Sequence, residues 1–415
     1  MEIRTANSPR KEEIEVVAYL RSPVAIRERC GQLFTMAVEG RSRHFSCDLR
    51  RLGSVTDYVT EVMRQQYPDL QIPFHSRWRH FEAGGVPRNT KLDELLTGLT
   101  PLEKATAQFD LAIVSVLLDA GAGDRWCYYE RDTGLSFQRS EGLAVASFQM
   151  FCQGAFSSNQ KHATQVDAQR LHGFTEQELA EGLQVNSENS LVGMTGRLKL
   201  LQKLGQVLLC SPEMFGEKNP RPGNLVSYLL NQSRNNQLAA ATVFSAVLAG
   251  LSDIWCGRIE VAGVNLGDVW FHPDVKSDHL VPFHKLSQWL TYSLLEPLQE
   301  LGLEITGLDV LTGLAEYRNG GLCLDLGLLS AKSPEILHSS HSVGSEIIVE
   351  WRALTLILLD HIAAQVREKL GMSIEDLPLV KILQGGTWIA GRKIAGELRA
   401  GGIPPIQIES DGTVF

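Results

Sequence analysis

Between Ser345 and Gly371 lie twenty-five residues, EIIVEWRALTLILLDHIAAQVREKL, with neither glycine nor proline. A run of that kind predicts one long helix, with Ser345 as its N-cap and Gly371 as its stop. A chain that commits this much length to one helix must pack others around it. The longest apolar runs, Leu238–Leu251 and Ala353–Leu359, are both short and soon followed by Asp253 and Asp360. A membrane span needs about 20 apolar residues, so no membrane partner is expected.

Leu286, Trp289, Leu290, Leu294, Leu298 and Leu301 recur at three- and four-residue steps and predict a second helix, with Pro297 kinking or restarting it. Asn224–Gly250 and Glu141–Phe156 also read as helices. Strand signals are few: Arg258–His272 alternates around turn residues and predicts a hairpin, and Pro405–Glu409 predicts a short final strand. The fold class expected is mainly α with a small β element. Soft boundaries divide the chain into a mixed segment 1–100, a helical core 101–370 and a Gly- and Pro-rich arm 371–415.

Charge and cysteine content exclude several functions. Lys plus Arg is 39 and Asp plus Glu is 48, so 39 − 48 gives −9, with no surplus of cations to neutralise nucleic-acid phosphates. The seven cysteines include no CxxC pair, which argues against a disulfide framework and a cysteine-based zinc site. The polar start MEIRTANSPRKEEIE lacks the apolar region of a signal peptide, and a cytoplasmic location is expected. GxxxxGK[ST], GxGxxG, GxSxG and HExxH are all absent from the chain. His272, Asp274, Asp278, His279 and His284, and the pair His338 and His341, are thin metal candidates, read as solvated or hydrogen-bonded; no metal and no cofactor is expected.

Five stretches combine charge, aromatics and glycine beyond what packing demands: SRWRHFEAGG (76–85), LLDAGAGDRWCYYE (117–130), LVPFHKLSQW (280–289), LTGLAEYRNGG (311–321) and GGTWIAGR (385–392). From SRWRHFEAGG to the C-terminal ESDGTVF, the chain resembles an uncharacterised family encoded beside uracil-catabolism genes in fungi and bacteria. Residues of about 110–370 also resemble the queuosine-nucleotide N-glycosylase (queuosine salvage) family, whose core is similar to that of helical DNA glycosylases. That family's aromatic-x-Lys-Arg-Ala-Gln helix start reads here Phe283-His284-Lys285-Leu286-Ser287-Gln288. Its Thr-x-x-x-Ala-Asp-Tyr-Arg reads Thr312-Gly313-Leu314-Ala315-Glu316-Tyr317-Arg318, one residue shorter after the Thr. Its Glu-Ile-x-Ile-Arg-Ala reads Glu346-Ile347-Ile348-Val349-Glu350-Trp351-Arg352-Ala353, with two extra residues before the Arg. By position the resemblance gives Lys285 the pocket lysine and Glu316 the pocket carboxylate.

Two departures bear on the substrate. The family aspartate is a glutamate here, which moves the carboxylate by about 1.5 Å, one C–C bond. The acid the family carries before a C-terminal Trp is missing from Gln384-Gly385-Gly386-Thr387-Trp388. A different second carboxylate is therefore expected, from Asp253, Asp119 or Glu350.

These residue types suit N-glycoside cleavage. Breaking a ribosyl C–N bond builds oxocarbenium charge, which a carboxylate stabilises while activating water, and the leaving nitrogen needs a proton. The expected catalytic residues are Glu316 and Asp253, with an Arg neighbour expected to lower the Glu316 pKa. The expected substrate-binding residues are Lys285, Tyr317, Arg318, Arg352, Asp119, Trp126, Arg79 and His80, with Lys285, Arg318 and Arg352 available to a phosphate. Trp388 and Arg392 are candidates for a lid. The implied partner is a small ribosyl compound, with or without a 5′-phosphate. Its pathway context implies ribosylurea or its phosphate, with urea as the product. Two alternatives remain open. One is a uracil phosphoribosyltransferase, disfavoured because Glu409-Ser410-Asp411-Gly412-Thr413 leaves no room for the helix such a loop precedes. The other is a non-catalytic nucleotide-binding or scaffold protein. Oligomeric state is not legible in the sequence.

Overall fold

A computed structural model of the chain describes residues 11–123, 125–159, 161–254 and 259–409. Helices dominate it, and every sheet among the described residues has two strands. The fold is mainly α.

The long helix runs Glu346–Leu370 as its sequence dictates. The Ser345 hydroxyl accepts from the Ile348 amide, and Gly371 closes the helix at φ 64. It packs on the Pro23–Val38 and Leu52–Gln66 helices. One continuous apolar core, from Ile26 to Ile406, draws on all three segments of the chain. A smaller cluster joins Val17 and Leu20 to Leu266, Val269 and Leu280. No helix among the described residues is long and apolar enough to cross a membrane.

The Asn224–Gly250 stretch is not one helix. It divides into the Leu225–Gln232 helix, the Gln237–Ala239 strand and the Ala240–Leu251 helix. Asn235 (φ 51) and Asn236 (φ 60) adopt left-handed backbone, which asparagine tolerates better than most residues. The strand after this turn pairs in parallel with Glu304–Thr306. Two other short strands also join distant segments: Phe45–Cys47 pairs with Leu329–Ala331, and Ser340–Ser342 with Gln407–Glu409. The last of these is the expected C-terminal strand. The expected hairpin is also present, Glu260–Val261 against Val264–Asn265, with Arg258 outside the described residues.

Pro297 does not restart its helix, which runs unbroken from Lys285 to Glu300. A proline cannot donate to the carbonyl four residues back, here that of Ser293. The Trp78 indole N–H donates to that carbonyl instead, at 2.7 Å, and the Ser293 hydroxyl accepts from the Arg77 amide at 2.9 Å. The short Arg77–Phe81 helix is thereby fixed against the Lys285–Glu300 helix. Twelve residues of the longer helix are buried, on all of its faces, so it lies inside the molecule.

Buried Arg88 forks onto Glu130 at 2.8 and 2.5 Å, and Gln149 and Thr133 donate to the same carboxylate. Burial alone would raise the Glu130 pKa, but these hydrogen bonds outweigh it and hold the group at about 2. Unfolded glutamate titrates at about 4.3, so the pair stabilises the fold above that pH, and the contribution is lost as pH falls toward about 2. Acid scans of melting temperature should therefore show a shallower loss over that window in Glu130→Gln than in the wild type. Trp78→Phe strands the Ser293 carbonyl and should cost about 1–3 kcal/mol in a denaturant titration. In a Pro297→Ala background, where residue 297 regains its N–H, the same change should cost less.

Candidate functional site

Glu316 is the N-cap of the Tyr317–Asp325 helix. Its two oxygens accept from the amides of Arg318 (2.8 Å) and Asn319 (2.7 Å). Glutamate is unusual as an N-cap, and here its extra methylene lets one carboxylate span two of the helix's unpaired amides. The group is 9% exposed. Burial raises its pKa, while the two amides, Lys285 and Arg318 pull in the other direction without cancelling it. The neighbouring arginine was expected to lower this pKa; desolvation is the larger effect.

Lys285 opens the Lys285–Glu300 helix. His284 before it is left-handed (φ 47) and is held by its Nε2 to the Leu20 carbonyl at 2.9 Å. The Lys285 amide donates to Asp268 at 3.0 Å. Lys285 is only partly exposed, and burial lowers its pKa. The charges of Glu316, Arg352, Asp119 and Asp268 all act on it. Those of Arg318, Glu316, Arg139 and Asp119 act on the Tyr317 phenol, whose pKa burial raises. Lys285, Glu316, Tyr317 and Asp119 therefore share one electrostatic neighbourhood.

Asp119 reaches this neighbourhood through Arg77. The Arg77 side chain is 0% exposed, and it donates to Asp119 at 2.6 Å and to the Ser115 hydroxyl at 2.7 Å. The Ser140 hydroxyl also donates to Asp119. The Arg77 guanidinium lies 5.4 Å from the centre of the Trp289 ring. Around it His75, His80, Trp289 and Trp388 form an aromatic cluster, with ring centres 5.3–6.4 Å apart. His75 bonds Gln384 at 2.9 Å, and burial lowers its pKa to about 4. Burial also takes His80 well below its ordinary value, so both rings are neutral near pH 7. The Trp289 Nε1, His80 Nδ1 and Arg77 Nη2 are buried without a hydrogen-bond partner among the described residues. Orphaned polar atoms beside ionisable groups make this the candidate site.

Of the expected residues, the structure brings together Glu316, Lys285, Tyr317, Arg318, Asp119 and His80, and it adds Trp388 from the C-terminal arm. Asp253 stands elsewhere. It is exposed on a 3-10 turn, where its charge acts on Arg21. Glu350 is buried near the start of the long helix, where it accepts from the Ser42 hydroxyl and the Phe45 amide. Arg352 is committed to Asp268 by two 2.8 Å bonds and stacks on Phe283 at 4.0 Å. Arg79 pairs with Glu296 at 2.9 Å. Trp126 is fully buried, donates to the Leu183 carbonyl and packs against Gly142, as a core residue would. Arg392 pairs with Glu141 at 2.6 Å beside the Trp388 ring.

Sequence reasoning missed Asp268, Arg139 and His75, and it singled out Trp289 only within the stretch 280–289. Asp268 lies in the hairpin region and His75 just before SRWRHF, but no motif marks either as polar and buried. The histidine-rich loop disperses: His272 approaches Glu350, Asp274 pairs with Arg43 and Asp278 with Arg29. No group of three or more His, Cys, Asp or Glu is placed to hold a metal among the described residues. The Ser410–Thr413 stretch lies outside the described residues.

The chain is similar along nearly its whole length to two fungal proteins. One, from Lachancea kluyveri, is named Uracil catabolism protein 4; it is 38% identical over 437 residues, covering 96% of this chain and 99% of that one. The other, Protein urg3 of Schizosaccharomyces pombe, is 39% identical over 411 residues, covering 97% and 99%. The family model that matches, over residues 19–415, is described as DUF1688, a protein of unknown function. The chain belongs to the DUF1688 family.

Proposed function

We propose that this chain acts in uracil catabolism as a hydrolase of a ribosyl C–N bond, with ribosylurea or its 5′-phosphate as substrate and urea as product. The pathway rests on the name of the Lachancea kluyveri relative. The observation that carries the chemistry is that Glu316 and Lys285 act on each other's charge in one buried neighbourhood, where burial displaces both pKa values toward neutrality. A carboxylate raised by burial is a stronger base, and an ammonium lowered by burial is a stronger acid.

In this reading water adds to C1′ as the C1′–N bond breaks and its electron pair passes to nitrogen. Glu316 takes a proton from the water and faces the developing positive charge. Lys285 gives a proton to the departing nitrogen. The helix amides that cap Glu316 fix its carboxylate before the reaction, so no reorganisation is needed as charge develops. Asp119, held by Arg77, supplies the second negative charge. The neutral His80, Trp289 and Trp388 rings give a flat leaving group an apolar face. This assigns the second carboxylate to Asp119, in place of Asp253.

Urea release by purified wild type and Glu316→Gln, on ribosylurea and its 5′-phosphate, tests the reading. Wild type should release urea, and Glu316→Gln should lose at least about 100-fold in kcat, in line with removal of a general base. No release from either compound would leave the transferase reading or a binding or scaffold role. The pH profile of kcat should be bell-shaped. Its acid limb, from Glu316, should lie above the ordinary carboxylate range, and its alkaline limb, from Lys285, below the ordinary ammonium range. Each limb should vanish in the Gln and Met variants of its residue.

A further inference from the structure

We propose that Arg139 and Arg318 form an anion subsite that takes a phosphomonoester carried by the sugar, a statement that rests on the hydrolase reading above. Most arginines around the site already have acids: Arg77 has Asp119, Arg79 has Glu296, Arg352 has Asp268, Arg392 has Glu141 and Arg399 has Asp325. Arg139 and Arg318 differ. Among the described residues neither forms an ion pair with a carboxylate, in a chain whose formal charge is −9.

The two guanidinium groups converge. Arg318 lies over the Tyr317 ring at 4.9 Å, and the Arg139 charge acts on the same phenol. Both also reach one turn of the C-terminal arm. Arg318 Nη1 donates to the Gly402 carbonyl at 2.7 Å, and Arg139 Nη2 touches the Gly401 carbonyl at a long 3.4 Å. Successive backbone carbonyls on two guanidinium groups are weak stand-ins for an anion's oxygens. Gly401 (φ 70) and Gly402 (φ 57) make the turn that presents them, a backbone that a side chain would strain.

Burial sharpens the contrast. Arg318 is 7% exposed, and its guanidinium feels only the through-space charge of Glu316, whose oxygens are bonded to amides instead. Its Nε and Nη2 make no hydrogen bond with the described residues, yet they are not among the occluded polar atoms, so they face accessible space. Arg139 opens the Arg139–Cys152 helix at φ 54, a left-handed conformation that strains a non-glycine residue. That strain gains nothing from the weak Gly401 contact. Two guanidinium forks that reach adjacent carbonyls supply donors enough for the three oxygens of a phosphomonoester. Glu316 and Asp119 act on the same Tyr317, so the subsite adjoins the proposed reacting centre.

The test is calorimetric binding of ribose 5-phosphate and of ribose to the full chain, for wild type, Arg139→Ala and Arg139→Lys. Melting curves confirm that each variant folds. Wild type should prefer ribose 5-phosphate over ribose by at least about 100-fold. Arg139→Ala should lose about 10- to 100-fold of that preference, and Arg139→Lys should keep part of it. Equal binding of both sugars by wild type, or an undiminished preference in Arg139→Ala, would overturn the subsite. The two proposals fail separately. Strong preference for ribose 5-phosphate without urea release keeps the subsite and removes the hydrolase. Urea release with no phosphate preference does the reverse.

Discussion

The buried guanidinium of Arg77 is the junction on which the site depends. It ties the Arg77–Phe81 helix to Ser115 at the end of the Pro101–Leu117 helix, to Asp119 beyond it, and to Trp289 inside the Lys285–Glu300 helix. Ser140, through Asp119, brings in the Arg139–Cys152 helix. A cation removed wholly from water requires a partner, and deleting one member of a buried pair typically costs about 3–5 kcal/mol. That requirement pins four helices at one point, and the aromatic cluster, the Asp119 charge and the placement of Lys285 follow from it.

Glu316 carries two demands that work on the same atoms. As an N-cap it stabilises its helix through the Arg318 and Asn319 amides. As a carboxylate deep in the molecule it is held at a cost in desolvation that the cap does not fully offset. The next layer locks the arrangement. Gly391 lies so close to the Arg318 carbonyl that a Cβ would approach it to 2.1 Å, so the Trp388–Leu398 helix can seat against the Glu316 helix only with glycine there. The same seating brings Trp388 to the histidines, and the π-helical turn Leu383–Thr387 just before it turns Gln384 onto His75. Such turns often occur where function needs a side chain re-aimed.

Local rules succeeded where one helix answers to its own sequence. Ser345, the stretch without glycine or proline, and Gly371 defined the longest helix to the residue. They fell short where a distant group supplied what the local chain lacked. Pro297 passes through its helix because Trp78, more than two hundred positions away, takes up the freed carbonyl. The Asn235-Asn236 turn was hidden in an apolar stretch that reads as helix, and the strand after it is too short to show a period of two. The sequence could not place Asp253 for a related reason. Nothing in a sequence distinguishes an acid on an exposed turn from one such as Asp119 that an arginine has drawn inward.

The sequence by itself determined a mainly helical fold, its longest helix and the three short motifs that hold Lys285, Glu316 and Arg77, because capping, periodicity and charge act over a few residues. Only the tertiary structure decided which charges are spent. Arg352 and Arg79 are neutralised by Asp268 and Glu296, whereas Arg139 and Arg318 are left facing a pair of glycine carbonyls. The reason is physical: the state of an ionisable side chain depends on burial and on partners tens or hundreds of residues away, and neither is encoded in its immediate neighbours.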